Sequence, residues 1–244
     1  MIAVYLTTVG IFLLPLASSQ PDAQVELICP NSSFEKEIID DYVVGHINDQ
    51  RYAQLNGKVL NGPWQGRHKW TRETQGYGKK LPKGKTMNRM VYDCEFEKEA
   101  VAALNHTCSD NEPSAPAGKT GMFYSMDIDW DVPEMTSAAW AWMDQIKHFA
   151  VSDYAITDKG VKFKDLVIRQ YLNLMRPEIK KIGCAEVLCK ENGMNKYRAF
   201  CLTDQPPLKD NEVIYEAGNG GCDKGENCPQ GTVCGAFGMC DVKP

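Results

Sequence analysis

Histidine is scarce in this chain: four residues among 244, namely His46, His68, His106 and His148, with no two at the spacing of a metal-ligand pair. A transition metal wants three or four imidazole, thiolate or carboxylate ligands, so the chain offers no histidine-built centre. There is no G-x-S-x-G, no H-E-x-x-H and no glycine-rich phosphate loop. The common signatures of serine hydrolases, zinc proteases and nucleotide-binding enzymes are therefore missing. No Arg-Gly-Asp or Lys-Gly-Asp occurs, and Lys224-Gly225-Glu226 is the nearest approach. An excess of basic charge is lacking too. The formal net charge is −5. Nucleic-acid binding relies on a dominant cationic face that releases counterions, so nucleic acid is not the expected partner. After the first residues no apolar run approaches the roughly 18 residues of a membrane helix, and no membrane span is expected.

What is present begins with an export signal. Ile2 to Leu16 is a short apolar run, and Ala17-Ser18-Ser19 places small residues where a signal peptidase cuts. Residues 1–19 are expected to be a signal peptide, which leaves all ten cysteines in the mature chain. An even cysteine set on an exported chain reads as disulfides formed in an oxidising compartment. Asn31-Ser32-Ser33 and Asn105-His106-Thr107 are acceptor sequences for N-glycans, so Asn31 and Asn105 are expected to carry them. The expected location is extracellular.

Helical spacing organises much of the first two thirds. Ser32 with Glu35 three residues on reads as a capping box, and Ile39, Tyr42, Val43 and Ile47 recur on one face, predicting a helix to Asn56-Gly57. A second helix is predicted from Tyr92 to Asn105, burying Phe96, Ala100 and Leu104. A third opens at Pro133 and runs to Phe149. A fourth covers Lys164 to Arg176 and ends before Pro177. Ile182–Cys189 and Tyr197–Thr203 read as two strands. The tail from Cys222 to Cys240 has cysteines every six residues, glycine between them and few core-forming side chains, so covalent bonds must hold it.

Two stretches invite a chemical reading. Asp127, Asp129 and Asp131 alternate as in calcium loops, but Val132 and Ala138 stand where an EF-hand needs Gly and Glu, which favours a solvated acidic loop. Trp140 and Trp142 are two apart on a helix, so at most one faces the core. The stretch from Gly62 to Arg89 has no periodicity and reads as a long loop. It holds Arg67, Lys69, Arg72, Lys79, Lys80, Lys83, Lys85 and Arg89 against one acid, Glu73, with Trp64, Trp70 and Tyr77 interleaved. On an acidic protein this is a local positive patch with aromatic anchors, and Trp64, Arg67, Lys69, Trp70, Arg72, Tyr77, Lys79, Lys80, Lys83 and Lys85 are its candidate partner-binding residues. The plainer reading is a solvated loop whose tryptophans fold back on the domain.

The segments "HINDQR" (46–51), "MVYDCEFEKEA" (90–100), "KKIGCAEVLC" (180–189), "CLTDQPP" (201–207) and "VIYEAGNGGC" (213–222) occur in this order with cysteines in register. Together they resemble the secreted CAP family of cysteine-rich secretory, antigen 5 and pathogenesis-related proteins. The branch they most resemble is the nematode activation-associated secreted, or venom-allergen-like, proteins. The resemblance implies an α+β fold: an α-β-α sandwich with long loops over residues 20–207, then a hinge and small disulfide-rich tail over 208–244. It also implies the pairs Cys29–Cys94, Cys108–Cys189 and Cys184–Cys201, with Cys222, Cys228, Cys234 and Cys240 bonded among themselves. Sequence alone leaves three connectivities for those four.

Many members of that family keep two His and two Glu in a central cleft that can bind a divalent metal. Matched position by position, Gln170 stands for one histidine, Met122 for the glutamate after Gly121, and Asp144 for the third-helix glutamate. The other histidine has no counterpart between Cys108 and Lys119. The expectation is therefore a kept scaffold, a degenerate metal cleft, no cofactor and no enzymatic activity. The resemblance implies a secreted effector that binds an extracellular or host cell-surface protein, with inhibition of integrin-mediated platelet or leukocyte adhesion as one form. The alternative it implies is a sterol or fatty-acid carrier.

Overall fold

The computed structural model describes residues 25–63, 79–222 and 228–243. The expected export signal, His68, the candidates Trp64, Arg67, Lys69, Trp70, Arg72 and Tyr77, and Lys224-Gly225-Glu226 lie outside those residues.

The first helical stretch starts at residue 36 rather than at Ser32. The Ser32 hydroxyl accepts from the Phe34 amide at 3.0 Å, and Glu35 is held in a bridge with Leu27. Ser32 thus closes a tight turn instead of a capping box. Ile38–Gly45 winds as a π-helix and continues into α1, His46–Leu55. Gly45 suits the junction because a Cβ there would meet the Asp40 carbonyl oxygen at 2.8 Å. After β1 (Val91–Tyr92), α2 (Cys94–Leu104) begins on Asp93, whose carboxylate accepts from the Glu95 and Phe96 amides. β2 (Thr120–Ile128) precedes α3 (Met135–His148). Next come β3 (Ile156–Thr157) and β4 (Gly160–Lys162).

The fourth predicted helix shrinks to α4, Arg169–Leu174, preceded by a single 3-10 turn at Leu166–Ile168. The Asp165 carboxylate accepts from the Ser152 amide and hydroxyl, so Asp165 is held extended at the point where the longer helix would have run. β5 (Lys181–Glu191) and β6 (Met194–Thr203) form an antiparallel hairpin. Its two-residue turn, Asn192-Gly193, has positive φ at both positions (52° and 80°), which Asn-Gly adopts with little strain.

The main sheet has the order β1-β5-β6-β2. The strand pleat divides the core between its two faces. On β6, Ala199 and Cys201 join one cluster with Ile39, Val43, Ile47, Trp142, Met143, Ile146 and Tyr171, while Phe200 and Leu202 join another with Ala100 and Leu104. The result is an α-β-α sandwich, with α2 on one face and α1, α3 and α4 on the other. α2 lies directly on β5, because a Cβ at Gly183 would come within 2.5 Å of the Asp93 oxygen and closer still to the Glu97 nitrogen. β7 (Val213–Glu216) completes a second sheet, β3-β4-β7.

Five disulfides pair all ten cysteines: Cys29–Cys94, Cys108–Cys189, Cys184–Cys201, Cys222–Cys234 and Cys228–Cys240. Cys184 and Cys201 are direct neighbours across β5 and β6. The tail forms the hairpin β8 (Thr232–Cys234) and β9 (Cys240–Val242). It is not a free appendage. The Cys240 amide donates to the Met87 oxygen and the Arg89 amide to the Cys240 oxygen, each at 2.8 Å. Met239 is buried with Leu55 and Met87.

Candidate functional site

The "HINDQR" motif turns out to be structural. Asn48 makes a two-way amide pair with the Met90 backbone, both bonds at 2.9 Å. Arg51 is fully buried and donates to the carbonyls of Asn88, Leu174, Arg176 and Ile179. Burial lowers its pKa to about 9, so the guanidinium stays charged at neutral pH. These two side chains tie α1 to the segment 88–90, and Arg51 also ties it to the turn after α4.

The positions expected to form a metal cleft fall on β2, α3 and α4. Gln170, at the start of α4, accepts a hydrogen bond from Gln145 Nε2 at 2.6 Å. Gln145 Oε1 in turn accepts from the Tyr171 amide at 2.9 Å. The side chain of α3 that meets Gln170 is therefore Gln145, the neighbour of Asp144. A step of one residue on a helix turns the side chain by roughly 100°. Asp144 instead pairs with Lys147 at 2.6 Å, one turn along α3. Met122 is fully buried in the main core.

This donor set does not fit a divalent transition metal. Both glutamine amides are neutral, Gln145 is engaged at both ends, and a thioether in the core supplies no charge. Among the described residues the one grouping of three His, Cys, Asp or Glu ligand atoms is Cys222, Cys228 and Cys240, and all three are oxidised.

His46 stacks on Trp140, with ring centroids 4.0 Å apart. Burial holds its pKa below the ordinary imidazole value, against the pull of Asp144, so the ring is neutral at pH 7. Trp142 is the tryptophan of the pair that enters the core, and Trp140 stays half exposed. Among the three aspartates, Asp127 is committed to Arg198, whose Nη1 donates to it at 2.6 Å and holds its carboxyl below the usual range. A half-buried carboxyl with a shifted pKa appears elsewhere, at Glu186. Burial raises its pKa despite a 2.6 Å hydrogen bond from the Tyr197 hydroxyl. No local pattern marks Glu186, because it is covered in part only when the N-terminus of α3 meets β5.

Of the basic stretch, the described arm is 79–89. It runs along the segment that follows α1 and along the second sheet: the Leu81 amide donates to the Val59 oxygen and the Lys85 amide to the Glu216 oxygen, while Gln54 of α1 donates to the Pro82 oxygen. Leu81 is buried, and Lys79, Lys80, Lys83 and Lys85 are exposed. Lys79 pairs with Asp153 at 3.4 Å and Lys85 with Glu216 at 2.8 Å. Lys80 and Lys83 have no carboxylate partner among the described residues. Asn31 and Asn105 are exposed, each in the left-handed backbone region at φ 64° and 49°.

The CAP family model, "Cysteine-rich secretory protein family", matches residues 44–203. The chain belongs to the CAP family. The matched span runs from α1 to the end of β6 and so takes in the whole main sheet and all four helices of the CAP domain. Na-ASP-1 superposes on the CAP chain with a TM-score of 0.68 and 18% identity, over 88% of this chain and 48% of its own. The present chain thus spans about half the length of that protein. BmVAL-1 gives a TM-score of 0.67 at 19% identity, covering 88% of this chain and 99% of its own. The hookworm platelet inhibitor gives 0.56 at 19%, covering 88% and 96%. At these identities the likeness establishes the CAP fold. No curated protein matches the sequence.

Proposed function

We propose that this CAP protein is an extracellular, non-enzymatic effector that works by binding an acidic surface on another protein. The carrying observation is the Gln145–Gln170 amide pair, neutral groups between α3 and α4 where the family resemblance leads one to expect charged metal ligands, with Gln145 engaged at both ends. A scaffold with that chemistry has binding, not bond-breaking, as its natural use. Five disulfides suit an oxidising compartment. No described helix is long and apolar enough to cross a membrane.

The binding surface in this reading is the stretch 62–89, whose Lys80 and Lys83 lack partners among the described residues. Trp and Arg are enriched at interface hot spots, and truncating one commonly costs roughly 2 kcal/mol or more. The lysines would steer an acidic partner and raise the association rate, an effect weakened by salt. Inhibition of integrin-mediated platelet or leukocyte adhesion is the specific form proposed; one fold neighbour is named as a platelet inhibitor.

A second reading, a carrier of a sterol or fatty acid, draws on a cavity of about 470 Å³ lined in part by Ala115, Pro116, Phe163, Leu166 and Leu208. The test sets both against each other. The purified protein is assayed for inhibition of platelet and leukocyte adhesion to integrin ligands, and for saturable extraction of labelled cholesterol and palmitate. Trp64→Ala and Trp70→Ala should speed dissociation from the target cell, and changing Lys79, Lys80, Lys83 and Lys85 together to Ser should slow association. Saturable lipid uptake with no cell binding would replace the effector reading with the carrier.

A further inference from the structure

Phe237 sits where neither local conformation nor burial favours an aromatic side chain. It lies in the Ala236–Gly238 turn between β8 and β9, with its backbone at φ 61°, ψ 17°. A bulky residue is strained in that left-handed region, which Gly and Asn hold with less cost. The side chain is 76% exposed, so burial does not offset the strain. Strain that persists without a packing reason is characteristic of residues presented to a ligand.

The backbone of the turn is braced. Cys222–Cys234 and Cys228–Cys240 staple the hairpin on both sides. The Cys222 amide donates to the Gly238 oxygen at 2.9 Å, and the Gly235 amide to the Met239 oxygen at 2.8 Å. Met239 is anchored on Leu55 and Met87. A partner therefore meets an aromatic side chain on a backbone that needs no ordering on binding, and that part of the entropic cost of association is reduced.

The neighbours of Phe237 give the patch its chemistry. The ring meets Tyr52 of α1 edge to face, with centroids 5.5 Å apart. Lys58 Nζ lies 5.1 Å from the centre of the same tyrosine. The stem of Lys83 runs across Gly57 toward Gly220, where a Cβ at Gly57 would meet Lys83 Cγ at 2.7 Å and one at Gly220 would meet Cδ at 3.7 Å. Lys58 and Lys83 are exposed and have no carboxylate partner among the described residues. The tail's Asp241 is turned onto Gly235.

We infer that Phe237, Tyr52, Lys58 and Lys83 form a recognition patch for an acidic protein surface, with Phe237 as its anchor. The inference rests on the effector reading above and extends its basic arm across the end of α1 onto the disulfide-held tail. Two aromatic rings flanked by two ammonium groups without a carboxylate partner among the described residues suit a partner that brings carboxylates around an apolar point.

The test selects a displayed random-peptide library on the immobilised full chain and uses synthetic peptides from the enriched set as probes. The enriched peptides should be rich in Asp and Glu. Phe237→Ala should weaken them by about tenfold or more, the loss expected of a hot spot. Lys58→Ser with Lys83→Ser should weaken them and flatten the salt dependence. Phe237→Asn separates recognition from structure: it should weaken binding while leaving the thermal midpoint unchanged or higher, because Asn suits the backbone. A fall in the midpoint on Phe237→Asn would make the ring a structural element and overturn the inference. So would peptides indifferent to Phe237→Ala, or heparin binding that depends on the lysines but not on Phe237, which would mark an anionic-glycan site. Trp64→Ala and Trp70→Ala tell the two ideas apart. Loss there with Phe237→Ala neutral sinks the tail patch and leaves the basic loop. Loss at Phe237 alone keeps the patch and removes the loop.

Discussion

Replacing Arg51 with Met removes a guanidinium that joins three parts of the chain through four backbone carbonyls: Asn88, Leu174, Arg176 and Ile179. A hydrogen bond from a charged donor contributes about 1.5–3 kcal/mol, so the gross loss over four carbonyls is about 6–12 kcal/mol, comparable to the whole stability of a typical domain. Much of it returns, because burying the charge was itself costly and Met needs no such desolvation. What does not return is the satisfaction of the carbonyls, each costing about 1–3 kcal/mol if left unpaired, less wherever water enters. A net loss of about 3–5 kcal/mol is expected, comparable to breaking a buried charged network. For a domain of this size that lowers the thermal midpoint by roughly 6–20 °C at about 2–4 °C per kcal/mol. Arg51→Lys should recover only part of it, since one ammonium cannot reach carbonyls on three sides. The assay is urea unfolding with disulfides intact, followed by circular dichroism, with the slope m checked for constancy. The same variant should loosen the 79–89 arm, because Asn88 loses its anchor. Amide exchange at residues 88–90 reads that directly. A loss below about 1 kcal/mol with unchanged exchange would show that the carbonyls were not relying on Arg51.

Other outcomes follow from the same geometry. After dialysis the protein should hold no stoichiometric zinc by elemental analysis, and one zinc per chain that disappears in Gln170→Ala or Gln145→Ala would contradict the donor-set argument. Glu186 has its pKa raised by burial above its ordinary 4.5. The folded state therefore holds that proton more tightly than the unfolded state, and stability falls as pH rises from about 4.5 through the raised value. Glu186→Gln should flatten that part of the pH–stability curve, measured as urea midpoints; a parallel curve refutes the assignment. Asn31 and Asn105 should both be glycosylated in material made by a eukaryotic host. Mass spectrometry after enzymatic deglycosylation should read Asp at each, and unmodified Asn at either would exclude that site.

The features legible in the sequence are those whose neighbours are close in sequence or whose chemistry is covalent. Ala100 and Leu104 read as a buried face because helical spacing is local. Asn192-Gly193 lies between two strand-like runs and suits the two-residue turn observed there. The ten cysteines announced a disulfide framework, but the choice among three tail connectivities needed the folded tail, in which Cys222 meets Cys234 and Cys228 meets Cys240. Other features were not legible because they arise from contacts between distant segments. β2 escaped notice since its pairing with β6, not its own alternation, makes it a strand. The fourth helix was overestimated because Ser152, outside it, holds Asp165 extended. Arg51 looked like one polar residue on a helix until four carbonyls converged on it. Which residue of α3 meets Gln170 was not legible either, because only the approach of α4 brings Gln145 to it and leaves Asp144 with Lys147. Composition and periodicity determine which segments want burial and which cysteines exist to be joined. Which side chain meets which across the core depends on helix rotation and strand register, and those are settled only when the whole sandwich closes.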